Sequence, residues 1–181
     1  MFKWWHKIAS AHRSDDSTVR GEIIEFLFPK LSKGFFIRMA AVAAVTGIIF
    51  GFFLMPCVID GASMRPTYES HGFTFCKKWS YWFSSPRRGD IVIINYGGRN
   101  YLLKRIVALE GDTVEFRRGT LYVNGEKQSE PYIRYASDWN LPPRTVAPGN
   151  CYVVGDNRSQ RIHEHIFGQI SLKRITGQPL F

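Results

Sequence analysis

The chain has 181 residues and a formal net charge of +9, with 45% hydrophobic and 15% aromatic residues. This length allows one domain of ordinary size together with an anchoring segment, and the apolar content suffices for a buried core. The positive charge is spread in pairs, such as Lys77-Lys78 and Arg87-Arg88, and forms no dense run. Scattered pairs are typical of a solvated surface, so the composition argues against a nucleic-acid partner.

The three cysteines, Cys57, Cys76 and Cys151, do not indicate a disulfide framework, because their number is odd and no C-x-x-C spacing occurs. One pair could still form in an oxidising compartment, and the sequence does not select it. No cluster of side chains has the spacing of metal ligands. The sequence therefore predicts no metal site.

Residues 39–59 form an uncharged apolar run of 21 residues, M-A-A-V-A-A-V-T-G-I-I-F-G-F-F-L-M-P-C-V-I. A helix of this length spans the hydrocarbon core of a bilayer, which is about 30 Å thick. A cleaved signal peptide is disfavoured, because the preceding segment is too long for a usual n-region and no A-x-A site follows the run. We predict a transmembrane anchor at residues 39–57.

The charges beside this run predict its orientation. Basic residues precede it, whereas Asp60 follows it and only Arg65 lies close by on that side. The positive-inside rule then places residues 1–38 in the cytoplasm and residues 58–181 outside it. The basic residues on the N-terminal side are Arg20, Lys30, Lys33 and Arg38.

Beyond the predicted anchor, short β-strands alternate with turn signals. No repeat and no long helical period follows residue 60, so we predict a mainly β domain, a folded sheet or a barrel. The predicted strands are 91–94, 101–109, a hairpin of 113–116 with 121–123, 151–154 and 168–175, and residues 137–149 are predicted to be a proline-rich loop.

The segment Trp79–Phe83, W-S-Y-W-F, is almost entirely aromatic. Aromatic side chains are common at the headgroup level of a bilayer, and they are equally common in a core hairpin. Because a predicted anchor lies nearby, membrane contact is the preferred interpretation, with the core hairpin as its alternative.

Ser63 follows the apolar run in the stretch G-A-S-M-R-P-T. A serine hydroxyl becomes a good nucleophile only when a base takes its proton. Histidine is the usual base, but His71, His163 and His165 stand in no recognisable nucleophile-base context. A Ser-His-acid triad therefore stays open.

Lysine is the other base available to a serine, and it must then be neutral at the working pH. In the predicted strand 101–109, alternation places Lys104 on the face of Leu102 and Ile106, with Arg105 on the other face. Burial between large aliphatic side chains would lower the pKa of this lysine. The alternative is an edge-strand lysine that discourages aggregation.

Four blocks of the sequence resemble, in order, the type I signal peptidases, the Ser/Lys leader peptidases of bacterial membranes and their mitochondrial inner-membrane relatives. A lone S-M-x-P would be a weak signal, but four ordered blocks behind one anchor are specific. The blocks are G-A-S-M-R-P-T at 61–67, R-G-D-I-V at 88–92, L-K-R-I-V-A-L-E-G-D at 103–112, and V-V-G-D-N-R at 153–158 with F-G at 167–168.

The resemblance implies a role for each matching residue. Ser63 would be the nucleophile and Lys104 the general base, with no cofactor. The backbone N–H of Ser63 would help to form an oxyanion hole, and Gly61 stands where some members carry a serine as a second donor. The other implied residues are Arg105 paired with Asp156, Gly155 beside the lysine, and Met64 and Pro66 on the substrate side.

The last block departs from the family after G-D-N-R, where the chain continues S-Q-R-I-H-E-H-I. The usual supporting serine falls at Arg161, and the usual supporting Asp and Arg fall at His163 and His165. Three interpretations remain. Ser159 orients the lysine instead; or Arg161 points away or lowers the lysine pKa by its charge; or the enzyme is slow, specialised or inactive.

The function implied by the resemblance is removal of N-terminal signal peptides from exported preproteins by a single-pass serine endopeptidase of the bacterial inner membrane. Cleavage would follow small residues, typically alanine, one and three positions before the cut. Its partners would be preproteins and the lipid bilayer, with no nucleic acid. Two alternatives remain, a conjugative pilin-processing peptidase with the same Ser/Lys pair and a catalytically impaired homologue with an assembly role.

Overall fold

The structure is a computed structural model that describes residues 32–98, 100–159, 162 and 168–181. The chain divides into two compact units, residues up to Ile48 and residues Ile49–Phe181. The first contains the helix α1, Lys33–Ile48, which has no buried residue. A π-helical turn, Ile49–Phe53, begins the second unit.

The helical residues Lys33–Phe53 number 21 and include an 18-residue window with a mean hydropathy of 2.0, so their length and composition would allow them to cross a membrane. The helix begins at Lys33 and its π-helical turn ends at Phe53, whereas residues 54–57 belong to a strand. The predicted anchor at 39–57 therefore overlaps the helical residues over 39–53, and the extent of an anchor stays a prediction. Hydropathy does not distinguish an apolar helix from an apolar strand. Pro56 does distinguish them, since proline disrupts a helix interior but is tolerated in an edge strand.

The second unit consists of short antiparallel strands, as predicted. They are β1 Leu54–Val58, β2 Phe73–Lys77, β3 Ile91–Gly97, β4 Asn100–Leu109, β5 Thr113–Arg117, β6 Thr120–Val123, β7 Glu126–Lys127, β8 Leu141–Thr145, β9 Asn150–Val154, β10 Gly168–Ser171 and β11 Ile175–Pro179. One sheet has the order β1-β2-β11-β3-β4-β9-β10, and the other has the order β7-β6-β5-β8.

Most of the strand predictions are confirmed. The runs at 91–94, 101–109 and 151–154 lie in β3, β4 and β9, and the predicted hairpin is the pair β5 and β6, in which Phe116 pairs with Leu121. Turn residues and β-branched runs are local signals, and each of these strands carries them on both sides.

Two strand predictions were wrong. The stretch 168–175 is interrupted by a 3-10 turn at Leu172–Arg174, so it contains all of β10 and only the first residue of β11. The predicted loop 137–149 contains β8, whose prolines follow Leu141 directly. β8 is an edge strand, and an edge strand tolerates proline because one row of its N–H groups needs no partner.

Two apolar clusters share the central strands. Tyr152 and Val154 of β9 belong to the cluster that packs on the four-stranded sheet, whereas Cys151 and Val153 belong to the other cluster. Successive side chains of a strand point to opposite faces, so β9 is buried on both. Cys57, Cys76 and Cys151 are free thiols.

The aromatic segment does not form the alternative core hairpin. It lies in and after a 3-10 helix, Lys78–Tyr81. Tyr81 packs inward against the apolar cluster of β3 and donates a 2.9 Å hydrogen bond to Asp90 Oδ2. Trp82 and Phe83 are exposed, Phe83 to 97%. Membrane contact by the outward residues stays a prediction.

A substitution at Gly177 of β11 tests how closely this strand packs between β2 and β3. A Cβ at this position would lie 2.2 Å from the backbone oxygen of Lys77. Backbone atoms of a neighbouring strand cannot give way, so Gly177→Ala should cost about 1–3 kcal/mol in the free energy of unfolding. Thermal unfolding followed by near-UV circular dichroism measures this. Gly47→Ala is the matched control, because nothing lies within 4 Å of a Cβ there; equal melting temperatures for the two variants would contradict the prediction.

Candidate active site

Ser63 lies in the turn between β1 and β2. Gly61 begins this turn with φ of +100°, a conformation that favours glycine. Two backbone hydrogen bonds close the turn, from Arg65 N to Ala62 O (3.2 Å) and from Tyr68 N to Met64 O (3.0 Å). Within the part of the chain that the structure describes, the backbone N–H of Ser63 donates to no acceptor. A donor left free in this way is available to a substrate oxygen.

The side of this turn that carries Ser63 faces a pocket. Met64, which is 2% exposed, lines it together with Ser63 and Gly61. Pro66 is exposed and is not part of the lining. The pocket is mostly apolar and is completed by residues 57–60 at the end of β1, Thr74, Ile93 and residues 101–103 of β4.

Lys104 follows that lining directly in β4 and is 3% exposed. Val92 of β3 is its partner across the sheet. Burial lowers the pKa of Lys104 to about 8, although the negative charge of Asp156 opposes part of this effect. No described carboxylate forms an ion pair with the Lys104 amine. The prediction of a buried lysine is confirmed.

Arg105 occupies the opposite face of β4 and forms an ion pair with Asp156. Its Nε and Nη2 donate to the two carboxylate oxygens at 2.8 and 2.6 Å, and Asp156 is fully buried. Thr67 Oγ1 also donates to Asp156, at 2.6 Å. Because Thr67 belongs to the turn of Ser63, this carboxylate connects that turn to β4.

Asn157 makes a second connection to the turn of Ser63. Its backbone N–H donates to Ser63 O at 2.9 Å, and its side-chain Nδ2 donates to Ala62 O at 3.0 Å. Ser159 Oγ donates to Asn157 Oδ1 at 2.7 Å, which orients the amide. Ser159 is exposed and has no hydrogen bond to Lys104, so the hypothesis that it orients the lysine is not supported by its position.

The other candidate residues are placed as follows. Gly155 is buried, and its carbonyl accepts a 2.8 Å hydrogen bond from Arg158 Nε. His71 is exposed, and its ring has no hydrogen bond to a described residue. Arg161, His163 and His165 lie outside the described residues.

Thr67, Asn157 and Tyr132 had no predicted role. The first two fall inside the matching blocks, so their position was a usable signal. Tyr132 lies between the third and fourth blocks, yet its ring centroid is 3.9 Å from Arg105 Cζ. No local sequence pattern predicts that contact.

This arrangement is suited to acyl transfer. It combines a serine at the wall of an apolar pocket, a backbone N–H that donates to no described residue, and a buried lysine whose pKa is lowered to about 8. Among the described residues, no three His, Cys, Asp or Glu side chains are grouped so as to hold a metal ion. Five polar or charged side chains of the described residues are buried, and all except Thr74 belong to β4 or to the segment after β9.

Comparison with known proteins gives consistent matches. Residues 32–181 match the model of the family described as signal peptidase, peptidase S26. A probable signal peptidase I-1 of Synechocystis sp. is 34% identical over 155 residues, which are 80% of this chain and 79% of that protein. Signal peptidase I of Bacillus caldolyticus is 31% identical over 79% of this chain and 84% of that protein.

In two further comparisons, the alignment covers only about half of one of the two proteins. Thylakoidal processing peptidase 1 of Arabidopsis thaliana is 35% identical over 78% of this chain, but only 46% of that protein is aligned. A crystal structure of a signal peptidase I from Enterococcus faecalis aligns with 52% of this chain and 97% of its own, at 31% identity and a TM-score of 0.44. On the family match and the identities over most of both chains, this chain belongs to the signal peptidase family, peptidase S26.

Proposed function

We propose that Ser63 and Lys104 form the catalytic pair with which this signal peptidase removes signal peptides from exported preproteins. The state of Lys104 carries the proposal, because the side chain is buried and its pKa is lowered to about 8. A lysine in this state is a general base at mildly alkaline pH. Ser63 lines the pocket beside the residues that precede Lys104 in β4.

In the proposed reaction, Lys104 Nζ takes the proton of Ser63 Oγ as this oxygen attacks the carbonyl carbon of the scissile bond. The Ser63 N–H donates to the oxyanion that forms, and the Lys104 ammonium returns the proton to the departing amine. Water then hydrolyses the acyl-enzyme with Lys104 again as base. Gly61 has no side-chain donor, so the second donor comes from elsewhere; such a donor contributes about 10²–10³ in rate.

The pocket supports cleavage after small residues. Met64, Ile93 and Leu103 are large apolar residues at its wall, an environment that suits a small apolar substrate side chain. We propose that alanine one and three positions before the cut is accepted, with Met64 as the described residue that limits size.

The helical residues Lys33–Phe53 support the proposal of a membrane anchor, since preproteins remain attached to the membrane by their signal segments. The basic residues on the N-terminal side, of which Lys33 and Arg38 lie in the first part of the helix, favour a cytoplasmic N-terminus and an external catalytic unit. In a bacterium, this orientation would place Ser63 at the outer surface of the inner membrane. The exposed residues of the aromatic segment would contact lipid there.

Replacement of either catalytic residue should abolish cleavage of a preprotein that carries an A-x-A site. Ser63→Ala loses the nucleophile, and Lys104→Ala should lower the rate by about 10²–10⁴, the usual contribution of a general base. Detergent-purified full-length protein and electrophoresis of the products measure this. Lys127→Ala is the matched control, because Lys127 is exposed on β7.

His71→Asn tests the histidine alternative. Asparagine tolerates the positive φ of this position, so the variant should fold and retain activity. A loss as large as that of Lys104→Ala would contradict the Ser/Lys pair and favour a histidine base.

The rate of cleavage should rise with pH through an ionisation near 8. Lys104 is an active base only when neutral, and burial lowers its pKa to about 8. Below that value the amine is protonated, so kcat/KM should fall about tenfold for each pH unit. Initial rates between about pH 6 and about pH 10 give the profile. A pH-independent rate across this range would contradict a lysine base.

A further inference from the structure

The segment 130–135, on the connection from β7 to β8, contacts Arg105 and Arg158. The ring centroid of Tyr132 lies 3.9 Å from Arg105 Cζ. Glu130 accepts a 2.6 Å hydrogen bond from Arg158 Nη2 and a 2.8 Å hydrogen bond from the Tyr132 hydroxyl. Tyr135 O accepts a hydrogen bond from Arg158 N at 3.1 Å.

These contacts form a closed circuit with the segment after β9. Asp156 binds Arg105, Arg105 lies against Tyr132, and Tyr132 binds Glu130. Glu130 binds Arg158, which is two residues from Asp156 and 1% exposed. The connection from β7 to β8 is thus linked to Asp156 through Arg105, which is adjacent to Lys104 in β4.

We propose that Tyr132 is a positioning residue for the general base. This inference rests on the proposed Ser63/Lys104 pair. The tyrosine ring covers the Arg105 guanidinium, as aromatic faces do for cations. It keeps water from the Arg105–Asp156 pair and holds that pair in its two-bonded geometry. The effect on Lys104 is indirect and passes through Asp156.

The direction of the effect follows from the charges around Lys104. Among the described residues, Asp156 is the charged group that acts on the Lys104 amine, and its negative charge raises the lysine pKa. Arg105 offsets that charge. Tyr68, in the turn of Ser63, is close enough for the charges of both Arg105 and Asp156 to act on its hydroxyl. From β3, the partner across from Lys104 is the apolar Val92.

Loss of the ring acts on Lys104 through Asp156. A weaker Arg105–Asp156 pair leaves more negative charge uncompensated, which raises the pKa of Lys104. Tyr132 therefore helps to keep Lys104 neutral near the pH at which it must accept a proton.

The test is the pH profile of kcat/KM for Tyr132→Leu in the full-length protein, with a preprotein as substrate. The midpoint should move upward by about one pH unit, so the rate below both midpoints falls about tenfold and recovers at high pH. KM should change little, because Tyr132 is not part of the pocket lining. Tyr132→Phe keeps the ring and should restore the parental midpoint.

The matched control is Tyr122→Leu. The ring centroid of Tyr122 lies 4.5 Å from Arg117 Cζ, in a similar stack on β5 and β6 that is away from the proposed catalytic residues. The Tyr122→Leu variant should have a lower melting temperature but an unchanged midpoint of the pH profile. If Tyr132→Leu behaves in the same way, Tyr132 has only a structural role and the inference is overturned. Tyr132→Met, with a flexible side chain that fills gaps, replaces Tyr132→Leu if the latter does not fold.

A second measurement separates this inference from the proposed function. The Lys104 side-chain signal of ¹³C-lysine-labelled Ser63→Ala protein in detergent gives the lysine pKa without any cleavage. With Tyr132→Leu added, this pKa should rise by about one unit, and an unchanged value overturns the inference. An active Lys104→Ala enzyme would instead refute the Ser/Lys pair, whatever Tyr132 does.

Discussion

The buried carboxylate of Asp156 is the constraint on which the site depends. A carboxylate removed from water is costly unless it is paired and hydrogen-bonded. Asp156 is fully buried, and its partners come from two distant parts of the chain, Arg105 on β4 and Thr67 in the turn of Ser63. Removal of one partner from such a pair typically costs about 3–5 kcal/mol. The carboxylate is therefore satisfied only when β4 and the turn of Ser63 are both in place.

Lys104 and Arg105 are neighbours on β4, but burial favours the neutral form of Lys104, whereas Arg105 stays charged. Arg105 keeps its charge because Asp156 receives it in two hydrogen bonds. Lys104, on the other face, has no described carboxylate as an ion-pair partner, and burial lowers its pKa. Asp156 serves both states, since it compensates Arg105 and keeps the pKa of Lys104 from falling further. A base that can both accept and return a proton needs such an intermediate pKa.

The features that could be predicted from the sequence were those with a local cause. Strand alternation predicted the burial of Lys104, and turn residues predicted the β5–β6 hairpin. The end of the helix, strand β8 and the split of 168–175 were missed, because they depend on which edges the folded sheets leave unpaired. Arg105 and Asp156 lie 51 residues apart, and their pairing came from family resemblance. Tyr132 had no such guide, since contacts between distant segments leave no periodic signal.

The place of β11 has a consequence for synthesis. β11 is the last strand along the described chain, yet it lies between β2 and β3 in the seven-stranded sheet. The strands next to the Ser63 turn therefore join those that carry Lys104 through a segment about 70 residues or more downstream, a contact of high sequence separation that slows folding. A nascent chain that lacks β11 contains Ser63 and Lys104 but has no continuous sheet to hold them in register. The proposed catalytic pair is therefore assembled only after β11 has been synthesised and inserted between β2 and β3.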